Sequence, residues 1–235
     1  VMPLTGQNRI LVTEALRRFP ICAPIGLREL HLLAARRGSS AMTARDFGFL
    51  IGPRINAAGR VASGLDALAL ILEKDRERAR ELARRVDSHN LSRKTVEQQM
   101  ADEAIARIVP GAPAQVIEIP DGHPGVAGIV AARVLDRLAV PAPVCVVVDG
   151  RGSARAPVGF NVRDALAASS EALEAFGGHA AAAGFQVRPG QLLSHRQQVL
   201  FSALFTCLKK TSEINSPKNQ SQNHTYKSYF MKHLH

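Results

Sequence analysis

Apolar positions in the first hundred residues recur at helical spacing. Over residues 8–19, Ile10, Leu11, Ala15 and Leu16 share one side, with Arg17 and Arg18 near the end, which predicts a helix. A proline-rich break at 20–24 precedes a second helix over 27–37, with Leu27, Leu30, Leu33 and Ala34 as its core face. Residues 38–40 form a loop. Thr43 followed by Asp46 matches a capping box and predicts a short helix over 44–50. The next stretch, Gly52-Pro53-Arg54-Ile55-Asn56-Ala57-Ala58-Gly59-Arg60, is punctuated by two glycines and a proline. It predicts a rigid, irregular turn that presents two arginines and an asparagine. Ser63 and Asp66 then start a helix through Leu72. From 75 to 109 the pattern predicts one long helix with a thin stripe (Leu82, Val86, Val96, Met100, Ile105) and a candidate break at 88–90. A thin stripe with polar flanks suits a helix bridging two lobes. The Pro110-Gly111-Ala112-Pro113 run marks a domain boundary.

Beyond that boundary the pattern changes to alternating strand and helix. A strand over 115–119, a turn over 121–125, a helix over 126–138 and a valine-rich strand over 144–148 make a βαβ unit with parallel strands. His123 falls at a strand's carboxyl end beside a helix start, where open α/β sheets bind ligands; a capping histidine fits equally well. In the predicted loop 149–155, glycines lend amides, Ser153 a hydroxyl and Arg155 a forked cation suited to phosphate oxygens. Asn161 or Asp164 caps the following helix. Residues 176–185, Phe-Gly-Gly-His-Ala-Ala-Ala-Ala-Gly-Phe, predict a Gly177-Gly178 turn opening a helix, with amides beside the His179 imidazole. A tight turn with an incidental histidine is the alternative. Three loops following successive elements of one sheet are expected to converge on one phosphate pocket.

Composition narrows the partner. A formal charge of +10 favours a polyanion, nucleic acid before an anionic membrane. No apolar run approaches the roughly 20 residues that span a bilayer. Cys22, Cys145 and Cys207 are odd in number and widely spaced, which suits a reducing cytosol better than a disulfide framework or a zinc site. Through Arg196 the chain carries 23 arginines and two lysines; after it come five lysines and no arginine. A helix is expected over 191–208; residues 209–235 lack periodicity and predict a disordered tail, which the switch marks as foreign to the domain before it.

Four ordered motifs, Gly52 to Arg60, His123-Pro124-Gly125-Val126, Gly152 to Arg155, and Gly177-Gly178-His179 with Ala183-Gly184-Phe185, resemble the bacterial RecJ single-strand-specific exonucleases of the DHH phosphoesterase superfamily. The resemblance implies an α/β protein: a helical remnant of the DHH lobe (1–74), a long connecting helix (75–109) and a small DHHA1 domain with a mixed sheet (110–208). It further implies a cytoplasmic 5′-to-3′ exonuclease for single-stranded DNA in repair and recombination, using Mn²⁺ or Mg²⁺. Ser153, Arg155, Gly177, Gly178 and His179 would hold strand phosphates, including the 5′-terminal one. Arg54, Asn56 and Arg60 would line the passage near the catalytic lobe, and His123 the edge of the cleft. Gly122 departs from a common Trp, and Ala154 and Ala156 from a common Gly and Ser. No Asp-His-His occurs, so the metal ligands are expected upstream of this chain, which alone is expected not to cleave DNA. The family's oligonucleotide-binding domain also looks missing. A small-substrate phosphoesterase and a non-catalytic basic nucleic-acid-binding module are the alternative readings.

Overall fold

A computed structural model of the chain describes residues 3–35 and 42–188. Two compact units, Val1–Thr95 and Val96–His235, divide the chain. The expected helix over 191–208 and tail over 209–235, the loop at 38–40 and Cys207 lie outside the described residues.

The first unit is helical. Helices α1 (Gly6–Cys22), α2 (Ile25–Ala34) and α3 (Ala44–Asp46) lead through a π-helical turn, Phe47–Ile51, into α4 (Gly52–Val61). Helix α5 (Gly64–Leu72) and the start of α6 (Arg76–Ala106) complete it. Phe19, Leu30, Met42, Ile51, Leu70 and Val86 form its core. Both predicted caps are present: Thr43 and Asp46 exchange hydrogen bonds, and Ser63 accepts from the Leu65 amide.

Three expectations need correction. The break at Pro20 does not occur, because α1 runs through it to Cys22. Proline removes one helical donor, but it lies in the final turn. Its carbonyl accepts from Arg28, and Phe19 packs edge-on against His31 of α2 at 5.8 Å. The segment from Gly52 to Arg60 is a regular helix, not an irregular turn. Pro53 stands in its first turn, where no amide donor is needed, and the preceding π turn carries the chain smoothly into it. Helix α6 is also unbroken at 88–90. The Ser88 hydroxyl folds back onto the Arg85 carbonyl, His89 pairs with Asp66 of α5 at 2.8 Å, and Asn90 is buried.

The second unit is the α/β part. After α6 come β1 (Gln115–Glu118), a 3₁₀ turn (Pro124–Val126), α7 (Ala127–Arg137), β2 (Val144–Val148), β3 (Arg151–Arg155) and α8 (Val162–Ala168). Strands β4 (Leu173–His179) and β5 (Ala182–Val187) close the sequence of elements. The sheet order is β1-β2-β3-β5-β4; β1 and β2 are parallel and all other pairs antiparallel. The sheet is therefore mixed, and the predicted βαβ unit is present. Helix α7 packs on β2 and β3. Helix α8 covers the opposite face, where Cys145, Val147, Ala154, Phe160, Leu166, Ala183 and Phe185 form the core. Burial there pushes the Cys145 thiol up to about 12, so it stays protonated. Among the described residues, no helix is long and apolar enough to cross a membrane.

Candidate nucleic-acid interface

The predicted loop at 149–155 is a β-hairpin. Asp149 and Gly150 both take positive φ, 48° and 74°, the conformation of a two-residue turn between right-twisted strands. Ser153 and Arg155 consequently sit inside strand β3. The Gly-Gly-His stretch likewise opens no helix. It ends strand β4, and Ala180 and Ala181 turn the chain into β5. Pairing overrides the helical preference of the alanines: the carbonyls of Ala180 and Ala181 accept from Val162 and Ala156, which pins the hairpin tip. The helix start expected beside His179 is thus absent.

Register nevertheless brings four of the predicted residues together. Arg155 lies opposite Ala182, which lies opposite His179. Ser153 lies opposite Gly184, which lies opposite Gly177. Directly opposed residues point to the same face, and alternate residues along a strand do too. Ser153, Arg155, Gly177 and His179 therefore share one face. Strands β3 and β4 stand roughly 10 Å apart across β5. Between them, Ala182 and Gly184 leave a floor of one methyl and bare backbone. Gly184, Gly177 and His179 are exposed, and Ser153 and Arg155 half-buried. Arg155 Nη1 donates to the Ala154 carbonyl at 2.9 Å.

The shelf so formed offers a guanidinium, a hydroxyl and an imidazole along a flat strip of main chain. Such a strip can receive an oxyanion against donors and a backbone or base against the floor. Arg151 was not among the predicted residues, yet it is exposed on the same face, two rows along β3 from Arg155. Period-two alternation would have found it had 151–155 been read as a strand.

The remaining predicted residues behave differently. Gly178 has φ 141°, and a Cβ there would stand 2.5 Å from the Ala182 carbonyl oxygen, so it serves the backbone. His123 caps the 3₁₀ turn before α7, its Nδ1 accepting from the Gly125 amide at 3.1 Å. It lies past the carboxyl end of β1, whereas Arg155 and His179 are level with Val144, the first residue of β2. The three segments thus do not gather at one end of the sheet as loops. Arg54, in the first unit, donates to Asp87 at 2.7 Å and to the Leu50 carbonyl at 2.9 Å; its side chain is 15% exposed. That arginine ties α4 to α6. Asn56 and Arg60 are exposed, one turn apart on α4. Among the described residues, no group of three or more His, Cys, Asp or Glu could hold a metal ion.

The DHHA1 domain family matches residues 111–201. The single-stranded-DNA-specific exonuclease RecJ of Thermus thermophilus is 40% identical over 185 residues, covering 79% of this chain and 27% of that protein. RecJ of Escherichia coli is 36% identical over 226 residues, covering 83% of this chain and 38% of that protein. The crystal structure of Thermus thermophilus RecJ in complex with Mg²⁺ matches with a TM-score of 0.79 at 35% identity, over 88% of this chain and 32% of that one. A structure of exonuclease RecJ bound to manganese matches with a TM-score of 0.76 at 36% identity, over 87% of this chain and 51% of that one. The chain spans about a quarter to two fifths of the length of these curated relatives. With agreement in sequence, domain and fold, the chain belongs to the RecJ family and corresponds to the part of it that contains the DHHA1 domain.

Proposed function

We propose that this chain is the strand-binding part of a RecJ-like 5′-to-3′ exonuclease, and that it grips single-stranded DNA and its 5′ phosphate on the shelf between β3 and β4. The observation that carries the reading is the shared face of Ser153, Arg155, Gly177 and His179. The formal charge of +10 adds a general attraction for the strand. On this reading residues 1–74 belong to the DHH lobe, 75–109 connect it, and 110–208 are the DHHA1 domain. Arg155 is the residue for a terminal phosphate dianion, because a guanidinium fork bonds two oxygens at once. Ser153 and His179 add single donors on either side of the glycine floor. Gly177 lets the chain lie close to β4.

Relatives have been crystallised with Mg²⁺ and Mn²⁺, but the described residues here offer no set of ligands that fits such an ion. The proposal for this chain is accordingly one of binding. The test compares affinity for 5′-phosphoryl and 5′-hydroxyl oligodeoxynucleotides. A hydrogen-bonded charge pair contributes about 1.5–3 kcal/mol, so the phosphate should improve binding on the order of 10- to 100-fold. Arg155→Ala should erase that preference and leave the salt dependence of general binding nearly intact. Equal affinity for both ends in the unaltered chain would favour a basic binding module without end recognition. Mn²⁺-dependent degradation by this chain alone, lost in His179→Ala, would overturn the expectation of binding without cleavage.

A further inference from the structure

We infer that Gly128, the second residue of α7, is the positioning residue that holds the Arg155 fork in place over the shelf. The inference rests on the reading of Arg155 just given. A Cβ at Gly128 would stand 2.8 Å from Arg155 Nη2, 3.5 Å from its Cζ and 3.4 Å from Ser153 Oγ. Non-bonded heavy atoms settle at about 3.5–4.0 Å, so the present position of the guanidinium requires that the Cβ be absent. The two side chains that such a Cβ would meet, Arg155 and Ser153, both face the shelf from β3. Nothing else lies as close.

The helix gains nothing from this glycine. Alanine is the better residue in a helix, and α7 uses it at Ala127, Ala131 and Ala132. Gly26 and Gly178, by contrast, are close to backbone: a Cβ at Gly26 would lie 1.8 Å from the Leu70 carbonyl oxygen, and one at Gly178 would lie 2.5 Å from that of Ala182. At Gly128 the obstacle is the far end of a flexible side chain, which can swing away without moving the main chain. Nη1 is already held by the Ala154 carbonyl, so swinging away breaks that bond and takes the fork off its station. Gly128→Ala is thus expected to leave folding intact while disarming the site. A glycine kept only for helix packing would show the reverse.

The experiment measures the affinity ratio for 5′-phosphoryl over 5′-hydroxyl oligodeoxynucleotide in the full chain, in Gly128→Ala, in Arg155→Ala and in the double variant, with a thermal melt of each. Gly128→Ala is expected to cut the ratio at least 10-fold and to melt no lower than the parent. In the Arg155→Ala background the same change should have almost no further effect on the ratio, since the group it displaces is gone. If Arg155→Ala lowers the ratio and Gly128→Ala does not, the positioning role is refuted while end recognition stands. If Arg155→Ala leaves the ratio unchanged, end recognition by Arg155 fails and the role of Gly128 fails with it. A lowered melt, with a loss of ratio that persists without Arg155, would make Gly128 a packing residue and overturn the inference.

Discussion

Gly152 lies between Arg151 and Ser153 in β3, yet it is buried and, like Phe185 opposite it, is turned to the face away from the shelf. Across the ladder it opposes Phe185, whose ring lies directly over it. A Cβ at Gly152 would stand 2.0 Å from Phe185 Cζ and 2.2 Å from Cε2, whereas carbon contacts settle near 3.5–4.0 Å. For Gly152→Ala to be accommodated, the ring must retreat by about 1.5 Å. It cannot do so freely, because Phe185 is 6% exposed and packed in the core beneath α8. Overpacking of a tight core costs about 1–3 kcal/mol, and full loss of a buried phenylalanine about 3–5 kcal/mol. The substitution is therefore expected to destabilise the sheet by about 2–4 kcal/mol. Amide exchange in urea is the suitable assay, because it follows β3 and β5 separately from the helices of the first unit. Protection in β3 and β5 should fall by that amount and stay unchanged in α2. Phe185→Leu in the Gly152→Ala background should recover at least about 1 kcal/mol relative to additivity. A loss below about 0.5 kcal/mol, typical of a surface site, or no coupling with position 185, would refute the packing argument.

The two glycines of β4 should separate cleanly. Gly178→Ala combines a positive φ with a Cβ clash against Ala182 and Ala183 and should cost at least about 1–3 kcal/mol in urea unfolding. Gly177→Ala meets no atom within 4 Å and should leave stability unchanged while weakening DNA binding measurably. Acid should loosen the first unit. The hydrogen bond from His89 holds the Asp66 carboxyl below its ordinary value, with Arg85 adding to it, and the Thr43 hydroxyl and amide do the same for Asp46. These groups bind protons more readily unfolded, so their stabilisation is complete above about pH 4 and is lost as pH falls through the depressed values. The urea midpoint of the first unit should drop below about pH 4, and less steeply in Asp66→Asn.

What the sequence disclosed followed its physical signals. The valine-rich run of β2, apolar at every position, and the spaced apolar residues of α2, α5 and α7 are strong signals, and each became the expected element. Strands β3, β4 and β5 were illegible because Arg-Gly-Ser-Ala-Arg and Phe-Gly-Gly-His-Ala-Ala-Ala-Ala contain almost none of the β-branched residues that mark strands. Their pairing is decided by tertiary fit, above all by Phe185 seated on Gly152. Propensity alone pointed the alanine run toward a helix. Gly52, Pro53 and Gly59 hid α4 in the same manner, since the proline is harmless in a first turn. Ser153, Arg155 and His179 were singled out by residue type, and only the register shows that they share a face. Arg54 shows the opposite case, an apparent ligand residue engaged by Asp87.

Side-chain resonances give the most direct measurement of the shelf. With a short 5′-phosphorylated single strand added, the His179 imidazole and Arg155 guanidinium signals are expected to shift together and saturate. The Phe160 and Phe185 ring signals, on the α8 face, should stay in place, and a 5′-hydroxyl strand should shift Arg155 far less. Movement centred on the α8 face, or equal shifts of Arg155 with either end, would contradict binding of the strand terminus between β3 and β4.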